Sequence, residues 1–349
     1  MRTRFHEQLF ALVMKMAVSK IAAMTVCIVF LCSCGPVPQQ QIKRDKKLNE
    51  ALFSVSFPTK NTGWACGRWG TVLHTADGGT KWTVQNSGTD FTLSSIFFTD
   101  PLHGWAVGNE GAIIHTADGG NTWKQQKSPV SFRLMKVYFV TPLKGWIVSE
   151  RTHILSTIDG GRTWHIQFAD DDFILKSISF CDALNGWAVG EYGYIYHTEN
   201  GGTNWRKQAG HFGFSPESGA VVGDPFLFDV AAIDPQTAWA VGIDGHVIKT
   251  SDGGKTWEKI ETGASRTQFF CVASNQVGTI SIGGKGTFLI STDNGTSWNN
   301  PAFKPPIVYG WIYGLAIRGD SEFVAVGWDG NIYFSEGTNP SNAWRRVNM

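Results

Sequence analysis

The sequence has little excess charge of either sign. Its 30 lysines and arginines nearly balance its 29 aspartates and glutamates, which gives a formal net charge of +1 at pH 7. No basic stripe stands out along the chain, whereas a nucleic-acid-binding protein needs one to meet the phosphate backbone. The charge balance therefore gives no reason to expect nucleic acid as a partner.

Cysteine is scarce, and the few cysteines are not spaced as metal ligands are. Cys66, Cys181 and Cys271 are the three beyond residue 50, and no Cys/His pattern typical of zinc accompanies them. Burial as small apolar side chains is the simplest interpretation, with a disulfide in an oxidising compartment as the alternative. The sequence also lacks a nucleotide-binding loop, a nucleophile elbow and any cofactor signature. We therefore expect no metal and no cofactor.

Long apolar segments are absent as well. The run from Ile21 to Leu31 is too short to span a bilayer and is typical of the apolar part of a secretory signal. It ends in the segment LCSC, which resembles the cleavage box of bacterial lipoproteins, although Cys32 stands where a smaller residue is usual. The resemblance implies that residues 1–33 are a signal peptide that is removed and that Cys34 is acylated. A plain signal peptide or an uncleaved anchor is the alternative.

Residues 34–50 are polar, with two prolines, a glutamine run and the basic segment Lys43 to Lys47. This composition predicts a flexible tether between the acylated Cys34 and the folded part, residues 51–349. The basic segment could touch anionic headgroups, but a solvated linker accounts for it equally. Together these features predict a membrane lipoprotein of the bacterial cell envelope, facing the periplasm or the cell surface.

What the chain has in abundance is a repeated unit rich in glycine and tryptophan. The stretch from Gly104 to Trp123, GWAVGNEGAIIHTADGGNTW, recurs closely at three other places and more loosely at three more. The tryptophans that close the seven units lie 41 residues apart in four of the six intervals, and 52 and 46 residues apart in the others. Seven units of this period predict a repeat architecture.

Each unit contains the pattern of four short antiparallel strands. An apolar, β-prone stretch opens it, and the Gly-Trp-Ala-Val-Gly segment, a tight G-x-x-G turn, a third strand and an Asp-Gly-Gly turn follow. Helix-period patterns are absent from residue 51 onward. We therefore predict an all-β, seven-bladed β-propeller with four antiparallel strands per blade. The first strand should be innermost and fully buried, and the chain ends should meet blade against blade.

The turn before each closing tryptophan matches the Asp-box, or bacterial neuraminidase repeat. In T-x-D-G-G-x-T-W the aspartate can accept N–H bonds across the turn, the glycines permit positive φ, and the tryptophan buries a large apolar area. Because a residue that recurs in every blade has a role in every blade, we interpret these residues as structural and name no catalytic residue. They are Asp77, Asp118, Asp159, Asn200, Asp252 and Asp293, with Trp82, Trp123, Trp164, Trp205, Trp257 and Trp298.

The whole unit resembles a narrower family, the photosystem II stability/assembly factors, over residues 52–347. The resemblance implies a seven-bladed propeller without enzymatic activity; in photosynthetic members it binds a reaction-centre precursor, and a surface arginine patch is associated with that binding. Here the arginines are scattered singly over several repeats, so no patch is carried over. Similar propellers occur as envelope lipoproteins in bacteria that do not photosynthesise, and the cleavage box groups this chain with them.

The G-x-x-G turns carry a different pair of residues in each repeat. Variable side chains on constant turns are where a repeat protein usually keeps its specificity. We expect these turns to share one face with the crossings 210–225 and 301–311, and the Asp-boxes to lie on the other. The candidate binding face comprises Arg68, Trp69, Glu110, Arg151, Glu191, Tyr192, Asp244, Lys285, Trp328 and Asp329.

Aromatic side chains on the same segments could form an apolar or sugar-stacking patch. The alternative is that several of them pack against neighbouring loops. The aromatic candidates are Trp69, Tyr192, Phe212, Phe214, Tyr309, Trp311 and Trp328.

Two functional classes follow from these features. The first is a non-enzymatic scaffold that presents this face to an unidentified protein partner in the envelope. The second is a sialidase-like or endo-glucanase-like glycoside hydrolase, or a glycan-binding propeller, because Asp-boxes also occur in such proteins. Sugar hydrolysis needs a pair of carboxylates, and nothing singles out two among Glu110, Glu150, Glu191, Asp224, Asp244 and Asp329. We therefore favour the scaffold.

Overall fold

The computed structural model describes residues 50–170, 173–275, 278–307, 310–336 and 343–347. Within these ranges the chain forms seven sheets that correspond to the seven repeats and are antiparallel except for one strand pair in the seventh, and it contains no α-helix. No helix in this part of the chain is long and apolar enough to cross a membrane. The prediction of an all-β, seven-bladed propeller is confirmed. The signal peptide, Cys34 and the tether up to residue 49 lie outside the described residues.

Blades 1 to 4 each contain four strands in sequential order from the centre outward. Blade 1 has β1 (Leu52–Ser56), β2 (Gly63–Gly67), β3 (Val72–Thr75) and β4 (Thr83–Gln85); blade 2 has β5 (Leu93–Phe98), β6 (Gly104–Gly108), β7 (Ile113–Thr116) and β8 (Lys124–Gln126). Blade 3 has β9 (Leu134–Phe139), β10 (Gly145–Ser149), β11 (His153–Thr157) and β12 (His165–Ala169); blade 4 has β13 (Leu175–Phe180), β14 (Gly186–Gly190), β15 (Ile195–Thr198) and β16 (Arg206–Ala209).

A hairpin, β17 (Phe212–Phe214) and β18 (Val221–Gly223), precedes blade 5. Blade 5 has β19 (Leu227–Ala232), β20 (Ala238–Gly242), β21 (Val247–Thr250) and β22 (Glu258–Lys259), and blade 6 has β23 (Phe269–Ser274), β24 (Ile280–Gly284) and β25 (Phe288–Ser291). The remaining strands are β26 (Ala302–Lys304), β27 (Ile312–Arg318), β28 (Glu322–Gly327), β29 (Ile332–Ser335) and β30 (Ala343–Arg346), all in blade 7.

The last two blades depart from the expected four strands. The fourth strand of blade 6 is reduced to one bridge between Ile290 and Asn299, because the chain then reaches Pro301, which has no N–H to donate. The chain crosses to blade 7 instead, where β26 pairs in parallel with the outer strand β30. The prediction of four antiparallel strands per blade is thus confirmed for most blades: blade 6 has three strands, and blade 7 has its own four with β26 added as a fifth. Part of the crossing 301–311 therefore lies on the rim.

The turns define two faces of the ring. G-x-x-G turns join the second strand of a blade to the third at one end, which we name the turn face, and Asp-boxes join the third to the fourth at the other end, the Asp-box face. Five of the G-x-x-G turns, and the corresponding Ser-Glu-Arg-Thr turn of blade 3, form single 3₁₀ turns: Arg68–Gly70, Asn109–Gly111, Glu150–Thr152, Glu191–Gly193, Ile243–Gly245 and Trp328–Gly330.

The innermost strands line a central channel with a volume of about 390 Å³. They are not fully buried, contrary to the sequence-based expectation, because some of their side chains face this channel. In all seven blades a β-bulge near the turn-face end of the inner strand leaves the second residue of that strand out of the pairing, and this residue lines the channel. These half-buried residues are Phe53, Ser94, Met135, Lys176, Phe228, Phe270 and Tyr313.

Tryptophans of the Gly-Trp segments form the contacts between blades. Trp105 is 0% exposed and stacks on Phe139 of the next blade, with their ring centroids 3.7 Å apart. The Asp-box Trp164 then meets the same phenylalanine edge-on at 5.8 Å. We expected the Asp-box tryptophans to be buried, and two of them are: Trp82 is 7% and Trp164 5% exposed. The other four are half-buried: Trp123, Trp205, Trp257 and Trp298.

The glycine before each core tryptophan is required by the same packing. A Cβ atom on Gly104 would lie 2.3 Å from the ring of Phe98, which ends the inner strand of its own blade. Blade 5 has Ala232 in place of that phenylalanine and Ala238 in place of the glycine. The glycine is therefore present where a phenylalanine ring covers it and is replaced where the ring is missing.

Glutamines from the fourth strands tie neighbouring blades together, a contact that the sequence analysis missed. Gln126 of blade 2 donates to the carbonyl of Gly160 at 2.9 Å and accepts from the indole N–H of Trp164 at 3.1 Å, both in the Asp-box of blade 3. Gln85, Gln167 and Gln208 make the corresponding bonds to the next Asp-box carbonyl. The signal in the sequence is a glutamine three residues after the closing tryptophan in each of the first four repeats.

The ring closes between blades 7 and 1 without a shared sheet among the described residues. Leu52 and Val55 of blade 1 belong to one core cluster with Val324, Val326 and Phe334 of blade 7. Inner strands are further linked by side chains: the Ser54 hydroxyl accepts from the Ile96 N–H of the next blade at 3.2 Å. The predicted meeting of the chain ends, blade against blade, agrees with this arrangement.

Candidate binding face

The backbone of the G-x-x-G turn is almost the same in every blade that has it. In blade 1 the Gly67 N–H donates to Thr71 at 3.1 Å, and the Thr71 N–H donates to Arg68 at 3.0 Å. Gly70 has φ of +65°, and a Cβ there would lie 1.9 Å from the carbonyl oxygen of Thr89 in the crossing to the next blade. Glycine and backbone hydrogen bonds therefore fix the turn, and the two central side chains are not needed for it.

The second central residue of each turn holds the left-handed conformation, with φ between 53° and 62°. This region disfavours residues with a Cβ, and the cost is smaller for asparagine and aspartate. Only two of the six residues concerned are aspartates, so the other four retain a backbone cost that the fold could avoid. The six are Trp69, Glu110, Arg151, Tyr192, Asp244 and Asp329.

Blade 3 replaces the turn glycine with Thr152, which also has positive φ, at 53°. Its backbone N–H and hydroxyl both donate to the Phe173 carbonyl, at 2.7 and 2.8 Å, and its hydroxyl accepts from the Phe173 N–H at 3.1 Å. These bonds compensate for a conformation that a β-branched residue rarely adopts. The bonds of Thr152 to Phe173 thus hold the turn that presents Arg151.

The turn of blade 6 is one residue shorter than the others. The Gly284 N–H donates to Thr287 at 2.9 Å, and Gly284 is the buried last residue of its strand. The pair Gly284-Lys285 is therefore not displayed as a pair, because only Lys285 projects from the turn. Lys285 forms an isolated bridge to Trp311 of the crossing to blade 7.

The candidate residues differ in exposure. Glu191 and Tyr192 are half-buried, and the other eight are exposed: Arg68, Trp69, Glu110, Arg151, Asp244, Lys285, Trp328 and Asp329. Tyr192 packs against Phe173, Phe212 and Phe226 with centroid distances of 4.7 to 5.3 Å. Tyr192 therefore supports the hairpin of the crossing 210–225. This is packing against a neighbouring loop, the alternative given above to an exposed aromatic patch.

A continuous set of aromatic side chains lies between blades 5 and 1 at the turn-face mouth of the channel. Neighbouring ring centroids are 5.3 to 6.5 Å apart: Phe228 with Phe270, Phe270 with Trp311 and Tyr313, Tyr313 with Phe53, and Trp311 with Trp328. We name these six residues the aromatic band. The sequence analysis found only Trp311 and Trp328 of the band, and Tyr309 lies outside the described residues.

Two cations lie over the tryptophans of the aromatic band. The Arg68 guanidinium is 5.7 Å from the ring centroid of Trp328, and the Lys285 ammonium is 5.6 Å from that of Trp311. Such cation–π contacts hold the charged groups beside the apolar surface. The band therefore combines aromatic area with positive charge at its edge.

The opposite side of the channel mouth, on blades 2 to 4, is polar. Lys176 lies 3.5 Å from the Glu191 carboxylate, which also accepts from the Ile174 N–H at 3.2 Å. Burial lowers the pKa of Lys176, and the neighbouring Glu191 opposes that shift. Arg133 donates to Ser94 at 3.2 Å. The mouth is thus aromatic on one side and filled with mutually bonded polar groups on the other.

Below the mouth, an ion pair crosses the channel. Lys136 of blade 3 lies 3.2 Å from Asp229 of blade 5, and Ser177 of blade 4 donates to the same carboxylate. The other oxygen of Asp229 accepts from the Val272 N–H of blade 6 at 3.0 Å. One carboxylate therefore connects four successive blades, because Lys136 and Asp229 occupy positions where blades 1, 2 and 4 have serine.

The Asp-box aspartates lie on the opposite face and are saturated with hydrogen bonds. Asp118 accepts from the Thr116 hydroxyl at 2.8 Å, and from the Thr122 N–H and hydroxyl at 2.9 and 2.7 Å. These donors, with the Thr122 hydroxyl first, lower the pKa of Asp118 to about 2. In blade 4 the amide oxygen of Asn200 accepts the corresponding bonds, at 3.0 and 2.9 Å. Within the described residues, no group of three or more His, Cys, Asp or Glu is arranged to hold a metal ion.

Seven blades, six of which carry an Asp-box turn between their third and fourth strands, define the class of this protein as an Asp-box β-propeller. The profile of one family of this class, described as photosynthesis system II assembly factor YCF48, matches residues 82–134, 123–210 and 220–305. These segments together cover more than half of the chain. The protein therefore belongs to the YCF48 photosystem II assembly factor family.

Solved structures with the same fold include members of this family and enzymes. YCF48 bound to D1 peptide is 18% identical with a TM-score of 0.67, over 86% of this chain and 93% of that one. YCF48 from Cyanidioschyzon merolae is 18% identical with a TM-score of 0.65, over 81% and 95%. A GH74 xyloglucanase from Xanthomonas campestris is 13% identical with a TM-score of 0.66, over 85% and 54%. These likenesses show the fold alone, and no curated protein matches the sequence.

Proposed function

We propose that this protein is a non-enzymatic scaffold that binds a protein partner through the turn face, with the aromatic band as the central contact. The observation that carries the proposal is the continuous band, because aromatic residues and arginine dominate the binding energy of protein interfaces. A family relative is described as bound to a D1 peptide, which supports a protein as the ligand.

The two sides of the channel mouth would contribute differently to such an interface. The aromatic band offers apolar area that a partner side chain can cover, and Arg68 and Lys285 offer charge to an acidic group at its edge. On the polar side, Lys176 and Glu191 already satisfy each other. We expect the polar side to contribute complementarity and the aromatic band to contribute most of the affinity.

A glycoside hydrolase remains the second candidate, because a GH74 xyloglucanase shares the fold and aromatic rings also stack on sugars. Retaining hydrolysis needs two carboxyl groups about 5–5.5 Å apart, one of them free to attack. Glu191 is held by Lys176 and a backbone N–H, which leaves it poorly suited to either role. The two candidates separate in one assay: incubation with xyloglucan and sialosides should release no sugar if the scaffold proposal holds.

The partner is tested by capture from the protein's own membranes with matched variants. The binding variants are Phe270→Ser and Phe228→Ser. Blade 2 already has a serine, Ser94, at the equivalent position, so the fold should tolerate both changes. The control changes Leu143→Gln and Leu184→Gln on the Asp-box face, where blade 5 carries Gln236. We expect one protein to be recovered by wild type and by the control, and to be lost with the band variants. Recovery that is insensitive to the band variants would contradict the proposal.

We also propose that the scaffold is attached to the bacterial envelope through a lipid on Cys34 and does not serve photosynthesis. The sequence LCSC before Gly35 supports this attachment. Mass spectrometry of the purified N-terminal peptide should find a diacylated Cys34. Cys34→Ser should move the protein from the membrane to the soluble fraction, and an unmodified wild-type peptide would refute the anchor.

A further inference from the structure

The chain reaches the propeller on the turn face. Leu52, the first residue of β1, pairs with Gly67 at the turn-face end of β2. The preceding carbonyl, that of Ala51, accepts from the Arg68 N–H at 3.1 Å, inside the G-x-x-G turn of blade 1. Any membrane anchor that precedes residue 50 is therefore connected to the protein at this face and at this blade.

Large apolar side chains are exposed around that point. Trp69 is 43% exposed in the turn of blade 1, Trp328 is 42% exposed in the adjacent turn of blade 7, and Phe91 is 46% exposed in the crossing from blade 1 to blade 2. Arg68 lies over the Trp328 ring at 5.7 Å. We name these four residues the membrane edge.

The sequence just before this point is basic. Lys43, Arg44, Lys46 and Lys47 surround the single acid Asp45. Basic clusters next to a membrane anchor are attracted to anionic lipid headgroups. The 16 residues from Cys34 to residue 49 span at most about 55 Å when fully extended, which is the greatest distance possible between an anchor at Cys34 and this face.

We propose that the membrane edge rests on the surface of an anionic bilayer. Tryptophan is favoured at the membrane–water interface because one part of its ring system is apolar and the other carries an N–H donor. Arg68 then faces lipid phosphates, while Trp69, Trp328 and Phe91 enter the headgroup region. The membrane edge shares Arg68 and Trp328 with the surface proposed for the protein partner, and the proposal rests on the lipid anchor proposed above. The contact itself requires lipid only, so vesicles without a partner test it separately from partner binding.

The Asp-box face offers a competing apolar surface and a matched control. Leu102, Leu143 and Leu184, at the same turn position of blades 2 to 4, are 53 to 56% exposed. Their carbonyls accept from the Asp-box glycines as those of Asn61 and Gln236 do in blades 1 and 5, so the fold does not require leucine there. This row contains no aromatic residue and lies at the other end of the strands from Ala51.

The experiment uses the full chain, extracted from its membranes and reconstituted in vesicles of phosphatidylcholine with phosphatidylglycerol. An environment-sensitive fluorophore is attached to Trp69→Cys or Trp328→Cys, and in the control to Leu143→Cys; lipids that carry a nitroxide in the headgroup region quench any fluorophore that reaches it. We expect blue-shifted emission and strong quenching at positions 69 and 328, and neither effect at position 143. Thermal unfolding of each labelled protein confirms that it is folded.

Two further arms sharpen the result. Vesicles of phosphatidylcholine alone, or replacement of Lys43, Arg44, Lys46 and Lys47 by serine, should reduce the quenching at position 69, because both remove the electrostatic attraction. Quenching at position 143 in place of 69 would assign the membrane contact to the leucine row and overturn the proposal. Absence of quenching at all three positions would overturn it as well.

Discussion

The two faces of the ring use the same repeat in opposite ways. On the Asp-box face, side chains complete the turn: the Asp118 carboxylate receives three hydrogen bonds, and Thr116 accepts the Gly120 N–H at 2.8 Å. On the turn face, glycine and backbone hydrogen bonds complete the turn. The central residues, such as Trp69 and Glu110, differ from blade to blade. Residues are therefore constant where the side chain builds the turn, and they vary where glycine builds it.

The interior between the faces should show the largest effect on stability. Trp105→Ala should cost about 3–5 kcal/mol in the free energy of unfolding, because it leaves a cavity against Phe139. Trp123→Ala should cost less, since that ring is half-buried. Denaturant midpoints with an unchanged m-value would measure both, and a larger loss for Trp123 would contradict the assignment of the core.

The glycine next to the core tryptophan should show the next largest effect. Gly104→Ala should cost about 1–3 kcal/mol, because the new Cβ would overlap the Phe98 ring. The reverse change in blade 5, Ala238→Gly, should cost only about 0.5–1 kcal/mol, through backbone entropy. Equal losses of stability for Gly104→Ala and Ala238→Gly would show that the phenylalanine ring is not the reason why glycine precedes the core tryptophan.

On the Asp-box face, removal of one hydroxyl tests whether the side chains build the turn. Thr116→Val should cost about 1–3 kcal/mol, because the buried N–H of Gly120 loses its acceptor. Asp118→Asn should be milder, since Asn200 already serves in blade 4. Thermal unfolding of both variants would decide, and a neutral Thr116→Val would break the contrast between the faces.

The same face predicts an acid-sensitive window. Hydrogen bonds lower the pKa of Asp118, Asp159, Asp252 and Asp293 to about 2 in the folded protein, below the value of about 3.9 in an unfolded chain. The unfolded state takes up these protons first, so their stabilisation is complete above about pH 4 and is lost as the pH falls towards about 2. Unfolding followed by circular dichroism should show this, and Asp-to-Asn variants should flatten the curve.

The smallest effect on stability is expected on the turn face. Trp69→Asn should change the free energy of unfolding by no more than about 0.5 kcal/mol, because asparagine tolerates the left-handed conformation that Trp69 holds. The same change should weaken binding at that face. A loss of stability comparable with that of Thr116→Val would mean that the turn residues also build the fold.

The fold could be predicted in detail because the sequence consists of seven repeats that each form one blade. The period, the Gly-Trp segment and the Asp-box together specify seven sheets, and an error in one unit is corrected by six others. The departures occur where the repeat itself fails: Pro301 ends the fourth strand of blade 6, and Lys285 stands alone on a shortened turn. A proline or a deletion that occurs in one repeat only has no counterpart in the other repeats, so comparison of the repeats does not predict its effect on the strands.

The candidate site could be predicted only in part. Counting turns identified the face and its exposed residues, such as Trp69 and Trp328, because turn position alone determines them. Phe228 and Phe270 were missed, since a bulge directs them into the channel while the strand pattern suggests burial. Their meeting depends on the closure of the ring, which brings together residues far apart in sequence.

The central claim is that the turn face binds a protein partner, whereas the side chains of the Asp-box face stabilise the fold. Photo-cross-linking from both faces in intact cells tests this claim most directly. A photoreactive amino acid would replace Phe270 on the turn face in one strain and Leu143 on the Asp-box face in another. We expect a single discrete protein adduct from position 270 and none from position 143. An adduct from position 143 alone would contradict the account.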